Sequence, residues 1–419
     1  MKTAYRFFVI LFPSLLAFQL QAQNALDNYR FPDQQGIDQF EAPKDTLTSF
    51  DGVDVKVGGA FAIQFQALDH ENSGELPLIP IGDNFNLPTA NLDLDVELYD
   101  GVNLHLRTYL SSRHHPEPYV KGGYIQIDKL DFISEGFMED LMNKVTIKIG
   151  HMENNYGDAH FRRSDNAMTL YNPFVGNLIM DAFTTEVGGE VYYRDNGFIG
   201  MVGMTNGKLN QGVNNPEATA PSYLAKIGYD SYFNDDFRFR LTGSVYHTNK
   251  SANAYLYSAD RAGSRYYFVM ENPEATAAAN FTSGRFNPGL RNELTAFMIN
   301  PFIKYQGLEF FGTYERATGK AAAEQDERSF SQYAGELIYR FGQAENFYLG
   351  GRYNLVEGEM AGGNEIDITR YNLAAGWFMT RNILAKLEYV NQEYNDFPLT
   401  DIRNHGQFKG FVLEAVISF

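Results

Sequence analysis

The sequence predicts an all-β chain closed into a transmembrane antiparallel β-barrel of sixteen strands. Three observations predict it. Long stretches alternate apolar and polar residues with a period of two, from Val53–Ala67 near the start to Phe411–Phe419 at the end. The connections between such stretches alternate between short and long, as in barrels with short turns on one side of a membrane and long loops on the other. The chain also holds 34 Phe, 27 Tyr and 38 Gly, a composition suited to strands, tight turns and lipid interfaces.

Bulk properties narrow the function classes. The 419 residues carry 34 basic against 52 acidic groups, a formal net charge of −18. That excludes a nucleic-acid partner, whose footprint would be basic. Cysteine is absent, which removes disulfide scaffolds, thiolate metal sites, cysteine nucleophiles and a lipidated cysteine anchor. A mean hydropathy of −0.34 suits a barrel, which needs apolar residues only at alternate positions.

Residues 1–22 read as a secretory signal: Lys2 and Arg6 form the charged start, Phe7–Phe18 the apolar core and Leu20-Gln21-Ala22 the cleavage end. That core is too short to span a bilayer as a helix, and no later run is long enough. Residues 23–50 are polar, contain Pro32 and Pro43, and lack periodicity. They form a periplasmic lead or a segment tucked into a lumen. The barrel covers 51–419. Its first stretch, Val53–Ala67, exceeds the roughly 9–11 residues that cross a bilayer at barrel tilt.

The next pair of strands is the most informative. Leu92, Leu94, Val96 and Leu98 oppose Asp93, Asp95 and Glu97; Asp100-Gly101 turns the chain; Val102, Leu104 and Leu106 then oppose His105 and Arg107. Three acids beside an arginine–histidine pair suit a watered lumen wall, not the core of a soluble sandwich. Further along, Val145, Ile147 and Ile149 oppose Lys148, and Phe237, Phe239 and Leu241 oppose Arg238 and Arg240. In the last strand Phe411, Leu413, Ala415, Ile417 and Phe419 should face lipid, Glu414 and Ser418 the lumen. Its backbone should pair with the strand beginning near Val53, so that no edge meets lipid.

Two long connections stand out. Residues 154–183 begin with a polar stretch containing Asp158, His160, Arg162, Arg163 and Asp165, followed by Tyr171, Phe174, Val175, Leu178, Ile179 and Met180. The apolar group needs somewhere to pack, so the loop is expected to fold inward, where its charges would narrow a channel and filter solutes. Residues 249–291, with Tyr255, Tyr257, Tyr266 and Tyr267, read as an external loop containing a hairpin, its aromatics packing or stacking on sugars.

The pore-lining and constriction candidates are therefore Asp93, Asp95, Glu97, His105, Arg107, Lys148, Arg238 and Arg240 on strands, with the five charged residues of 154–183. Arg107, Lys148, Arg238 and Arg240 would form basic rungs facing an acidic patch on another wall, a transverse field across the lumen. The bland reading is routine wetting of a large lumen, and the sign of selectivity stays open. His151, Glu153 and His160 offer ligand atoms, but their spacing does not specify a metal, and no cofactor is expected. No G-x-S-x-G, H-E-x-x-H or G-x-x-x-x-G-K-[ST] motif occurs, and no enzyme is expected.

Several stretches carry a family resemblance. The signal segment, Val53–Ala67, Val145–Gly150 running into Asn155-Tyr156-Gly157-Asp158, Glu186–Tyr193 and the terminal Phe419 resemble Bacteroidota outer-membrane porins, which are similar to the phosphate-selective porin group. The resemblance extends over the mature chain. It implies a passive sixteen-stranded pore in the outer membrane, in contact with lipid and lipopolysaccharide, often a homotrimer, passing small hydrophilic solutes. It also implies an inward constriction loop, which falls on 154–183, and a terminal Phe acting as assembly signal. The phosphate-selective members line their route with many basic residues; this chain, at net −18, has scattered ones, which sets phosphate selectivity apart from the porin reading. A TonB-dependent transporter would need a folded plug before the first strand. The rivals are a fatty-acid channel, which needs an apolar lumen and helical hatch, and a surface adhesin or structural barrel with its lumen packed shut.

Overall fold

The computed structural model describes residues 26–111, 113, 117–207, 219–258 and 262–419; the signal read at 1–22 lies outside them. The strands run β1 (Asp54–Glu71), β2 (Asn84–Tyr99), β3 (Val102–Ser111), β4 (Tyr119–Ile127), β5 (Val145–Glu153), β6 (Thr185–Asp195), β7 (Phe198–Thr205) and β8 (Ser222–Asn234). They continue as β9 (Phe237–Thr248), β10 (Glu293–Tyr305), β11 (Leu308–Lys320), β12 (Arg328–Phe341), β13 (Phe347–Glu359), β14 (Glu365–Thr380), β15 (Ile383–Asn395) and β16 (Gln407–Ser418). Each pairs antiparallel with its neighbours in sequence, and β16 returns to β1, so the sheet is a closed barrel of sixteen strands.

The closure follows the expected register. Phe61 lies opposite Ile417 and Phe65 opposite Leu413. Gly59 and the terminal Phe419 exchange backbone hydrogen bonds of 2.9 and 3.0 Å. No unpaired strand edge is left at the seam.

Alternation sorts the two faces. Outward Leu373 and Leu413 are 62% and 51% exposed, whereas inward Asn372 and Glu414 are at 0%. Apolar residues outside and polar residues inside invert the order of a water-soluble protein and match a lipid-facing wall. At the short-turn end Tyr339, Phe341, Phe347 and Trp377 stack in sequence with ring centres 5.8–6.1 Å apart, a segment of an interfacial aromatic girdle.

The turns have local causes. Asn196 and Gly197 between β6 and β7 take φ of +48° and +83°, the left-handed pair that a two-residue hairpin requires. The connection between β4 and β5 is longer and carries a single helical turn, α1 (Glu139–Met142).

Among the described residues three segments enter the lumen: residues 26–45, the β5–β6 connection and the β9–β10 connection. The last differs from expectation. Among its described residues there is no hairpin; Tyr257, Tyr266 and Tyr267 are buried, and the tip around Asn272–Ala279 stays near the surface. The reason is a pair of β1 glutamines. Gln64 donates to the Arg265 carbonyl (2.9 Å), and Gln66 both donates to the Tyr267 carbonyl (2.9 Å) and accepts from its N–H (2.7 Å). These aromatics therefore belong to an interior, not to a sugar-stacking surface.

Candidate channel interior

A loop without regular structure can sit inside a barrel only if its backbone polar groups find partners. For the β5–β6 connection the wall supplies them. Glu388 accepts the Val175 N–H (2.9 Å), Asn354 the Ile179 N–H (2.7 Å) and Gln332 the Met180 N–H (2.9 Å). Arg352 donates to the Gly176 carbonyl (2.7 Å), Arg370 to that of Asn177 (2.5 Å) and Lys386 to that of Thr169 (2.8 Å). Phe174, Val175, Ile179 and Met180 are fully buried. At Gly176 an added Cβ would lie 1.9 Å from the Tyr266 hydroxyl oxygen, so the two long connections press together there.

The charged residues of this loop are fastened rather than free. Asp158 accepts from Arg240 (2.8 and 2.9 Å), Lys226 (2.9 Å) and the Thr242 hydroxyl (2.8 Å). Burial alone would push its carboxyl up; Arg240 and Lys226 outweigh that and hold it at about 2. Arg162 donates to Asp38 (3.0 Å) and lies 3.7 and 3.6 Å from Glu309 and Glu336. Arg163 clamps Asp181 (3.0 and 2.7 Å), and Asp165 pairs with Lys121. His160 contacts Glu153 through one ring nitrogen and Asn155 through the other, at 3.0 Å. His151 turns instead to the Thr185 hydroxyl (3.0 Å), so the three ligand types weighed at 151, 153 and 160 are not assembled, and among the described residues no group of three such side chains is poised for a metal.

The strand candidates also face inward, but their charges do not form opposed walls. Asp93 takes a two-pronged grip from Arg107 (2.7 Å each), and Asp95 meets His105 at 2.6 Å. Acids and bases of β2 and β3 are neighbours across one ladder, and they hydrogen-bond each other. Arg238 and Arg240 likewise both reach Asp230 (2.7 and 3.0 Å). Glu97 is buried at the short-turn end, opposite Asp54. Lys148 is the exception. It stands opposite Glu190, whose oxygens are taken by the Asn155 N–H (2.9 Å) and the Tyr192 hydroxyl, and its ammonium lies over the rings of Tyr124 (5.2 Å) and Tyr192 (5.4 Å).

Open space remains on the β2–β6 side. A cavity of about 200 Å³ is lined there by Asp93, Asp95, His105, Arg107, Lys148 and His160, together with Tyr29, Arg30 and Glu41 of the amino-terminal segment. Asp158, Arg162, Arg163 and Asp165 lie outside its lining, and Arg238 and Arg240 border a second pocket near Asp38 and Asp230. The sequence reading did not single out Arg30, Asp38, Glu41 or Lys226. For Lys226 the signal was available: a cation between outward Tyr223, Ala225 and Ile227 at the polar parity of a strand. For the other three no periodicity existed to use.

No protein-family model matches the chain, and no curated protein matches it. Solved structures do. It is similar to an anion-selective porin from Comamonas acidovorans (9% identity, TM-score 0.55, 88% of this chain and 100% of that one). It is also similar to the outer membrane channel DcaP of Acinetobacter baumannii (12%, 0.54, 89% and 99%). A third is OmpT of Vibrio cholerae in its trimer form (12%, 0.53, 88% and 100%). At these identities the likeness concerns the fold: this chain has the fold of outer-membrane porins, a closed sixteen-strand antiparallel barrel.

Proposed function

We propose that the protein is a passive outer-membrane channel for small hydrophilic solutes or ions, with residues 154–183 as its constriction. One observation carries this reading: a cavity bordered by charged side chains, Asp93, Arg107, His105 and Lys148 among them, persists inside a lipid-faced barrel. The barrel contributes geometry and field and no chemical step. Arg30 and Lys148 supply cationic character there that the net charge of −18 conceals. Outer-membrane lipid and lipopolysaccharide would surround the apolar face, and the trimeric form of the Vibrio cholerae relative makes a homotrimer the assembly to look for. The Bacteroidota kinship rests on the sequence stretches quoted above.

A second reading has its own support. Three segments fill much of the lumen, as a sealed surface barrel would require. Single-channel recording of the refolded protein in planar bilayers separates the two. Discrete open-channel currents are expected, with a reversal potential under a salt gradient that gives the ion preference; a silent bilayer at high protein load would leave the sealed barrel. Deleting residues 160–175 should raise conductance severalfold, and an unchanged conductance would remove the loop from the permeation path.

A further inference from the structure

We propose that residues 27–45 are an internal strap that closes the short-turn end of the barrel and controls access to the cavity, with Asp38 and Glu41 as its latches. Its contacts proceed round the barrel in one direction. Asp33 meets Arg381 in the β14–β15 turn (3.0 Å), and the Gln34 N–H bonds the Arg381 carbonyl (2.9 Å). The Gln34 side chain reaches the Ala344 carbonyl between β12 and β13 (2.8 Å). Asp38 meets Lys304 of β10 (3.2 Å), and Glu41 meets Arg240 of β9 (2.9 Å) and Lys226 of β8 (3.5 Å). Arg194 of β6 then donates to the Ala42 carbonyl, and Lys44 ends the path at Asp128 (3.0 Å) and the Val145 carbonyl (2.8 Å) beside β4 and β5.

The manner of attachment suits a movable part. The segment forms no strand with the wall and has one short helical turn, Gln34–Gly36. Its main apolar anchor is Phe40 against Phe302 and Phe311. The rest of its hold is ion pairs and single hydrogen bonds to side chains and carbonyls, with Ile37 as a lesser apolar contact. Each latch pairs with groups that have a second partner: Arg162 also lies near Glu309 and Glu336, and Arg240 also binds Asp158. Releasing the strap therefore leaves these cations paired, which lowers the cost of opening relative to breaking a strand ladder. Because Tyr29, Arg30, Phe40 and Glu41 also line the cavity, a solute arriving from the short-turn end meets the strap first.

The chain has no cysteine, so Lys148→Cys places a single thiol in the cavity. Its rate of reaction with a PEG-maleimide reagent is measured on the refolded barrel in three forms: otherwise unchanged, with Asp38→Asn/Glu41→Gln, and with residues 27–45 deleted. The double substitution should speed labelling about tenfold, a shift of ~1.4 kcal/mol in the strap equilibrium, and the deletion should speed it further. Equal rates in all folded forms would overturn the strap; if the double substitution fails to fold, the deletion decides alone. The strap depends on the channel reading only for its consequence in transport, and parallel conductance recordings keep the two apart. Faster labelling without current retains the strap and discards the channel; unchanged labelling with current does the reverse.

Discussion

The two sides of the lumen use inward polar residues differently. On β8–β15, Lys226, Arg240, Gln332, Arg352, Asn354, Arg370 and Glu388 are committed to the inserted loop, through its carboxylate Asp158 or its backbone. On β2–β6, Asp93 and Asp95 pair with Arg107 and His105 of the adjoining strand, and Lys148 rests on tyrosine rings, all beside open space. The first set replaces water for a buried chain; the second borders the cavity, and of these Arg107 also reaches the inserted loop, at the Asn166 carbonyl (2.5 Å). An inward charge is thus no marker of a pore lining by itself. What lies opposite decides its role.

The sharpest way to break this comparison is a pair of truncations. Arg240→Ala strips a fully buried partner from both Asp158 and Glu41, and it should cost about 3–5 kcal/mol in urea unfolding of the refolded barrel. Arg107→Ala unpairs Asp93, which is itself buried but borders the cavity, so the vacated space should admit water to it. The cost should be smaller, about 1–2 kcal/mol, while the reversal potential moves toward cations. Equal losses for both would erase the distinction between the committed and the open side. The smallest effect is acid sensitivity. The Asp158 carboxyl is held at about 2, and Arg240 and Lys226 overcome burial to keep Glu41 well below its ordinary value too. A depressed folded-state value contributes stability that is complete above the unfolded pKa of about 4 and lost as pH falls toward about 2. The urea midpoint should therefore drop as pH falls from about 5 to about 2 in the parent barrel, and drop less in Arg240→Ala.

Much of the barrel was legible because its rules are local. Val55, Ile63, Leu413 and Trp377 announce the outer face through parity alone, and Asp100-Gly101 announces a hairpin through backbone preference. The inward course of 154–183 was legible for a related reason, since Phe174, Val175 and Ile179 could not remain in water. The path of 249–291 was not, because its cause is Gln64 and Gln66 some two hundred positions away, 201 residues for each of their bonds to the loop. The separate acidic and basic walls failed likewise: parity says that Asp93 and Arg107 point inward, but only the ladder register sets them opposite one another.

By itself, then, the sequence determined the strand number, the lipid face, the seam at Phe419 and the order of turns and loops, all consequences of period-two alternation and turn chemistry between near neighbours. Which inward charges pair with each other, which hold a loop and which border the cavity was decided in three dimensions. Asp38 and Arg162 are separated by 124 residues, and Asp158 and Lys226 by 68. Hydrogen bonds need contact within about 3 Å and ion pairs are strong only at similar range, so their pairing exists only once the closed barrel brings distant segments into one lumen.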